Sequence, residues 1–193
     1  LDFAMPQVLK GEQGGAAPQQ ARKGLELFIE WLCIGRCRFA QGLAFGDSAA
    51  VLINRDMYTE FALPYAKEAI ATLKEQTGLP VFYHVCGNTK HILDLMVQTG
   101  ADCIEIDSMV PMALAKETAN GRCAVEGNVS TIEAFYQGTP EDVTREANAI
   151  IDLFGNRGGL ILSSACEIPR HTPRENVRAL TDAAWNYPYE GGS

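Results

Sequence analysis

The stretch PVFYHVCGNTKHILDLMVQTGADCIEIDS, residues 80–108, contains a strand, a helix and a second strand in succession. Short apolar runs over 79–86 and 102–109 are typical of buried strands, and residues 88–100 have the pattern of a helix that ends at Gly100. Two strands joined through a helix lie parallel to each other in one sheet. This stretch therefore predicts a parallel sheet with helical crossovers.

The same alternation continues on both sides of this stretch. Three more strands are predicted over 38–47, 122–129 and 158–166, and four more helices over 55–78, 111–121, 139–155 and 172–187. Neither GxGxxG after the first strand nor GxxxxGK[ST] occurs, which disfavours dinucleotide-binding and P-loop folds. Two α/β architectures fit: an open doubly wound sheet, and a (β/α)8 TIM barrel of which this chain would supply the C-terminal five βα units.

The N-terminal part of the chain has a different composition. Residues 1–22 are rich in Gly, Gln, Ala and Pro, which predicts a flexible arm or loop, and residues 24–37 have helical apolar spacing. We therefore expect two parts, an N-terminal arm over 1–22 and the C-terminal part of a barrel over 23–193.

Charge and cysteine content narrow the range of partners. The 193 residues have a net charge of −8, which argues against nucleic acid and against a polybasic membrane surface as partners. The chain has no run of 18 apolar residues, so no membrane span is predicted. Six loosely spaced cysteines indicate free thiols in a reducing compartment rather than a disulfide framework, and we expect a cytoplasmic protein.

Polar side chains end all five predicted strands. The carboxyl ends of parallel strands meet at one rim of the fold, where α/β proteins place their chemistry. The candidates at this rim are Asp47, His84, Cys86, Glu105, Asp107, Glu126, Asn128, Cys166 and Glu167.

Three of these residues have the chemistry of zinc ligands. His84 and Cys86 are two residues apart at a strand end, so both side chains lie on one face, and Cys166 at the last strand end offers a third donor. Three protein ligands leave the fourth position open, as catalytic zinc sites do. The alternative is a buried histidine and two cysteines that only fill the core. His171, close to the same rim, is a weaker candidate.

Four stretches of the chain resemble the uroporphyrinogen decarboxylase superfamily, and within it the corrinoid-dependent methyltransferases, which include methylcobamide:coenzyme M methyltransferases. They are FGDSAAVLINRDMYTEFALPYAKEAI, PVFYHVCGNTKHILDLMVQTGADCIEIDS, VEGNVSTIEAFYQGTPEDV and GGLILSSACEIPRHTPRENVRAL, and they span about residues 38–185 in family order. The resemblance implies a (β/α)8 barrel longer than this chain. Its first three strands would come from upstream of Leu1, from another chain as a missing N-terminal barrel half, or from a homo-oligomer.

The resemblance also implies an activity. A His-x-Cys…Cys zinc motif marks the methyltransferase branch and maps onto His84, Cys86 and Cys166. It implies transfer of a methyl group from a methylated corrinoid, carried on a separate protein, to a thiol such as coenzyme M. Two alternatives remain open: a uroporphyrinogen decarboxylase-like enzyme that needs no metal, and a non-catalytic, truncated barrel subunit.

The remaining rim residues receive roles from their positions and from the resemblance. Asp47 matches a family-wide acidic position, and we expect Asp47 and Asp107 to be catalytic. Asn128 and Glu167 are expected to bind substrate, although helix capping is an equal alternative for Asn128. Glu105, Asp107 and Glu167 all remain open as a fourth zinc ligand.

Overall fold

Five parallel strands form one sheet in the computed structural model, which describes residues 41–155 and 158–188. The strands are β1 (Leu43–Gly46), β2 (Val81–Val85), β3 (Cys103–Ile106), β4 (Ala124–Val129) and β5 (Leu160–Ser164). Each lies inside its predicted range. The predicted arm over 1–22 and the predicted helix over 24–37 lie outside the described residues.

The order of the strands decides between the two predicted architectures. The sheet runs β1–β2–β3–β4–β5, and every neighbouring pair is parallel. A doubly wound sheet reverses its strand order at a switch point, whereas a barrel adds each new strand beside the last one. The sequential order therefore confirms the barrel-type arrangement of five βα units.

A helix follows each strand, as predicted. These helices are α1 (Leu63–Thr77), α2 (Leu93–Val97), α3 (Met112–Ala119), α4 (Pro140–Phe154) and α5 (Arg174–Asn186). The cap of α4 is a reciprocal pair, because the Thr139 hydroxyl accepts from the Asp142 N–H and the Asp142 carboxylate accepts from the Thr139 N–H. The last turn of α1 ends at Gly78, whose φ of 67° favours glycine. No helix in the described ranges is long and apolar enough to cross a membrane.

The prediction of one continuous α-helix over 55–78 was wrong in its first part. A short α-helical turn, Arg55–Met57, leads into a π-helical segment, Tyr58–Ala62, before α1 begins. Pro64 has no N–H to donate to the carbonyl four residues earlier, and the Leu63 N–H bonds instead to the carbonyl of Tyr58, five residues back. A second π-helical segment, Thr131–Tyr136, follows β4 and was not predicted.

The core lies between the sheet and the helices. Successive residues of a strand point to opposite faces, so one face of β2–β4 carries the neighbouring residues Tyr83, Ile104 and Val125. These three side chains are at most 1% exposed and pack with apolar residues of the helices. The opposite face is only partly covered, and it is the face that carries His84.

Candidate metal centre

The structure brings the three predicted metal ligands together. His84 Nε2 lies 2.9 Å from Cys86 Sγ, and Cys166 Sγ lies 3.8 Å from each of those two atoms. Two strands separate β2 from β5 in the sheet, and in a flat sheet these strands would be about 14 Å apart. The sheet must therefore curve, as a barrel sheet does, for Cys166 to reach His84 and Cys86.

The spacing of the three donor atoms fits a zinc ion. With ordinary zinc–sulfur and zinc–nitrogen bond lengths, a tetrahedral site places two sulfurs about 3.8 Å apart and a sulfur and a nitrogen about 3.6 Å apart. The two sulfurs, of Cys86 and Cys166, are 3.8 Å apart, as this geometry requires. Cys166 Sγ and His84 Nε2 are also 3.8 Å apart, within a few tenths of an ångström of the sulfur–nitrogen value. Only the 2.9 Å between His84 and Cys86, a hydrogen-bond distance, would have to open.

The electrostatic environment favours the ligand form of the imidazole. Burial lowers the pKa of His84, so the ring is neutral at pH 7, and a neutral ring is what a metal ion binds. Burial raises the pKa of the Cys166 thiol, which therefore keeps its proton until a cation compensates the thiolate charge. Such a pair of half-buried sulfurs beside an imidazole suits a soft or borderline cation such as zinc.

Two carboxylates lie beside His84 on the same face of the sheet. His84, Glu105 and Glu126 are register neighbours on β2, β3 and β4. Glu105 Oε2 is 3.3 Å from Nδ1 of His84, whereas Nε2 is the ring nitrogen that faces the sulfurs. Burial raises the pKa of both carboxyl groups, and the charge of Glu105 adds to the effect on Glu126.

Asp107 supports the loop that carries Cys86. One carboxylate oxygen of Asp107 accepts a hydrogen bond of 3.0 Å from the N–H of Gly87, and the other accepts one of 3.1 Å from Met109. Gly87 has a φ of 81°, which favours glycine, so the chain turns sharply directly after the cysteine. A direct part for Asp107 in catalysis stays a prediction.

Asn128 is tied to the neighbouring loop. Its side-chain N–H group donates to the carbonyls of Asp107, at 3.1 Å, and Val110, at 2.8 Å. These bonds join the end of β4 to the loop between β3 and α3. The segment that follows β4 is capped by Ser130, whose hydroxyl accepts from the Glu133 N–H. Contact between Asn128 and substrate stays a prediction.

Asp47 and Glu167 flank the cluster at the rim. The backbone N–H of Asp47 donates to the carbonyl of His84 at 2.9 Å, and the half-buried Asp47 carboxylate has its pKa raised by burial. Glu167 is exposed, and its backbone N–H hydrogen-bonds to the sulfur of Cys166. His171 is exposed and does not belong to the cluster found within the described ranges.

Two features near the site were not found from the sequence. Ser48 Oγ lies 3.7 Å from Cys86 Sγ, and its position directly after Asp47 at a strand end was the available signal. The hydroxyls of Tyr58 and Tyr83, both fully buried, are 2.9 Å apart behind β2. Burial raises the pKa of both phenols, that of Tyr58 to about 12, so both hydroxyls stay protonated.

Comparison with known proteins assigns the chain to one family. Residues 22–187 match the family model described as uroporphyrinogen decarboxylase (URO-D). The methylcobamide:CoM methyltransferases MtbA of Methanosarcina acetivorans and Methanosarcina mazei are 32% and 33% identical over 138 residues. A uroporphyrinogen decarboxylase of Paraburkholderia phytofirmans is 30% identical over 146 residues.

The matches cover most of this chain and a minor part of each relative. The alignments include 72–74% of this chain but 39% of each of these three relatives, so the chain spans about two fifths of their length. A solved structure of a methyltransferase from Methanosarcina mazei superposes with a TM-score of 0.74 at 24% identity, over 86% of this chain and 48% of that one. This likeness shows that the two chains share a fold.

Proposed function

This chain belongs to the uroporphyrinogen decarboxylase family, and we propose that it acts as a zinc-dependent methyltransferase. The methyl group would pass from a methylated corrinoid, carried on a separate protein, to a thiol such as coenzyme M. The observation that carries the proposal is the cluster of His84, Cys86 and Cys166, whose donor atoms all lie within 4.8 Å of one another. The names of the MtbA relatives support a methylcobamide donor and a coenzyme M acceptor.

The three clustered side chains would hold the ion through one nitrogen and two sulfurs. Zinc, when bound, stabilises the thiolate form of a thiol at neutral pH, and the thiolate is the nucleophile that can attack a methyl group. Three protein donors leave one tetrahedral position for the acceptor thiol. The loop bonds of Asp107 and Asn128 would keep Cys86 and its neighbours in place while the acceptor binds.

Two other rim residues lie next to the cluster, and their positions suggest roles in binding the acceptor. Asp47 contacts the backbone of His84 and Glu167 follows Cys166, so both lie where an acceptor could be oriented. We keep Asp47 and Asp107 as candidates for a direct part in the reaction, and Asn128 and Glu167 as candidates for substrate contact. The remaining βα units of an eight-stranded barrel would lie outside the described residues or on a second chain, and a cytoplasmic location stays a prediction.

A methyl-transfer assay tests the proposal. The purified 193-residue chain, loaded with zinc, is mixed with methylcobalamin and coenzyme M, and demethylation is followed by the change in cobalamin absorbance. We expect demethylation that requires the thiol and is lost in Cys166→Ala. Equal rates with and without wild-type protein, or an unchanged rate in Cys166→Ala, would contradict the proposal.

A second candidate function follows from the decarboxylase relatives. The uroporphyrinogen decarboxylase of Paraburkholderia phytofirmans is nearly as similar to this chain as the methyltransferases are. Decarboxylation of uroporphyrinogen by metal-free protein, retained in Cys166→Ala, would favour this second function over methyl transfer.

A further inference from the structure

We propose that Glu105 is a positioning residue of the metal centre. Its carboxylate holds the Nδ1–H of His84 and so directs Nε2 towards the two sulfurs. The inference rests on the proposed zinc site and adds a residue that neither sequence pattern nor relatives assigned to this role.

The backbone places the two side chains next to each other. His84 on β2 and Glu105 on β3 are register partners in a parallel pair, so both side chains leave the same face of the sheet side by side. Glu105 Oε2 lies 3.3 Å from His84 Nδ1. Nδ1 is buried, and among the described residues it has no hydrogen-bond partner of good geometry. The carboxylate oxygen is thus within reach of Nδ1 but is not aligned with its N–H, and a buried N–H without a partner is costly to leave as it is.

A partner at Nδ1 determines which nitrogen is free for a metal. A neutral imidazole carries its proton on one nitrogen and offers the lone pair of the other, and the hydrogen bond at the protonated nitrogen selects this tautomer. With the proton on Nδ1, the lone pair is on Nε2, which is the atom 2.9 Å from Cys86 Sγ and 3.8 Å from Cys166 Sγ.

The same geometry removes Glu105 from the candidates for a fourth ligand. Its carboxylate approaches Nδ1 rather than Nε2, the nitrogen that faces the sulfurs, so a carboxylate that holds Nδ1–H is not the fourth ligand. Asp107 and Glu167 remain open for that position.

Glu126 offers a matched control. It is the register partner of Glu105 on the next strand, is half-buried on the same face and has the same side chain. It interacts with the hydroxyl of Ser163 and lies one strand further from His84. A loss caused only by removing a half-buried carboxylate from this face would therefore appear in both variants.

The experiment compares zinc affinity in four forms of the full chain: wild type, Glu105→Ala, Glu105→Gln and Glu126→Ala. Affinity is measured by competition with a chromophoric chelator. Glu105→Ala should bind zinc about 10–100-fold more weakly, as is usual when a partner of a metal-bound histidine is removed. Glu105→Gln should be close to wild type, because the amide oxygen still accepts from Nδ1–H. Glu126→Ala should also be close to wild type.

A second readout needs neither metal nor a substituted chain. The ¹⁵N chemical shifts of His84 in the metal-free wild type should report the tautomer with the proton on Nδ1. A proton on Nε2 would overturn the proposal even if Glu105→Ala does not fold.

The outcomes separate this inference from the proposed function. Wild-type zinc affinity in Glu105→Ala would overturn the inference, because the backbone carbonyl of Glu105, which also faces the ring, would then suffice. Equal losses in Glu105→Ala and Glu126→Ala would overturn it as well, because removing either half-buried carboxylate would then have the same effect. A Glu105→Gln variant as weak as Glu105→Ala would overturn it in favour of Glu105 as a ligand. If the wild type binds no zinc, the proposed function fails, whereas a change of the His84 tautomer in Glu105→Ala but not in Glu126→Ala would still show that the Glu105 carboxylate holds His84.

Discussion

Two rows of residues on β2, β3 and β4 differ by one position along each strand and face opposite sides. The row Tyr83, Ile104 and Val125 is apolar and buried against the helices. The row His84, Glu105 and Glu126 is polar and half-buried, and it contains one of the three clustered metal-ligand candidates, His84. Alternate residues of the same strands thus face the core and the proposed metal site, so stability and zinc binding should respond to different substitutions.

The largest expected effect is on the helix-facing row. Replacing Ile104, which is fully buried, by alanine leaves a cavity and should lower the free energy of unfolding by about 2–5 kcal/mol. The matched control is Ile161→Ala. Ile161 is the register partner of Glu126, so it lies on the face opposite Ile104, and it is 38% exposed. Ile161→Ala should lower the free energy of unfolding by well under half as much as Ile104→Ala. Urea unfolding of both variants provides the measurement, and equal losses would break the distinction between the faces.

The buried tyrosine pair should give the next largest effect. Tyr58→Phe removes one hydroxyl and leaves that of Tyr83 without this partner in the core, which should cost about 1–3 kcal/mol. The double variant Tyr58→Phe, Tyr83→Phe should lose less than the sum of the single changes, because it leaves no orphaned hydroxyl. Thermal or urea unfolding of the three variants tests this, and strictly additive losses would show that the two hydroxyls do not interact.

The smallest expected effect is the contribution of Glu126, in the polar row, to the pH dependence of stability. The pKa of Glu126 in the folded protein is raised, mainly by burial, so folding disfavours its charged form. This disadvantage is absent at pH values below the ordinary glutamate pKa and grows as the pH rises through the raised pKa. Glu126→Gln should therefore match the wild type in stability near pH 4 and exceed it near pH 8.

The control for this pH prediction is Glu117→Gln, which replaces an exposed glutamate of α3. Unfolding free energies of the wild type and both variants at several pH values are the measurement, and the gain between pH 4 and pH 8 should be larger in Glu126→Gln than in this control. A difference from wild type that stays constant with pH in Glu126→Gln would show that folding does not disfavour the charge of Glu126.

The fold was largely predictable because its signals are local. Strand and helix alternation, the Thr139 cap of α4 and the Gly78 end of α1 are all encoded within a few residues. The π-helical segment before Pro64 was missed, because proline indicates a disturbed helix without specifying how the turn before it relaxes.

The site was predictable only in its outline. The convergence of His84, Cys86 and Cys166 follows from a general property of parallel strands, whose carboxyl ends meet at one rim. The partners of Asp107 and Asn128 are backbone groups of loops, and no sequence pattern specifies those distances. The pairing of Glu105 with His84 depends on the register between β2 and β3, which the sequence of either strand alone does not contain.

Zinc content of the purified chain decides whether His84, Cys86 and Cys166 form a metal site. It should be measured in the wild type, in Cys86→Ala and Cys166→Ala, and in Cys123→Ala, which removes a free cysteine outside the cluster. We expect one zinc ion per chain in the wild type and in Cys123→Ala, and its loss in the other two variants. A folded wild type, prepared without chelator, that holds no zinc, or equal zinc in all four proteins, would contradict this expectation.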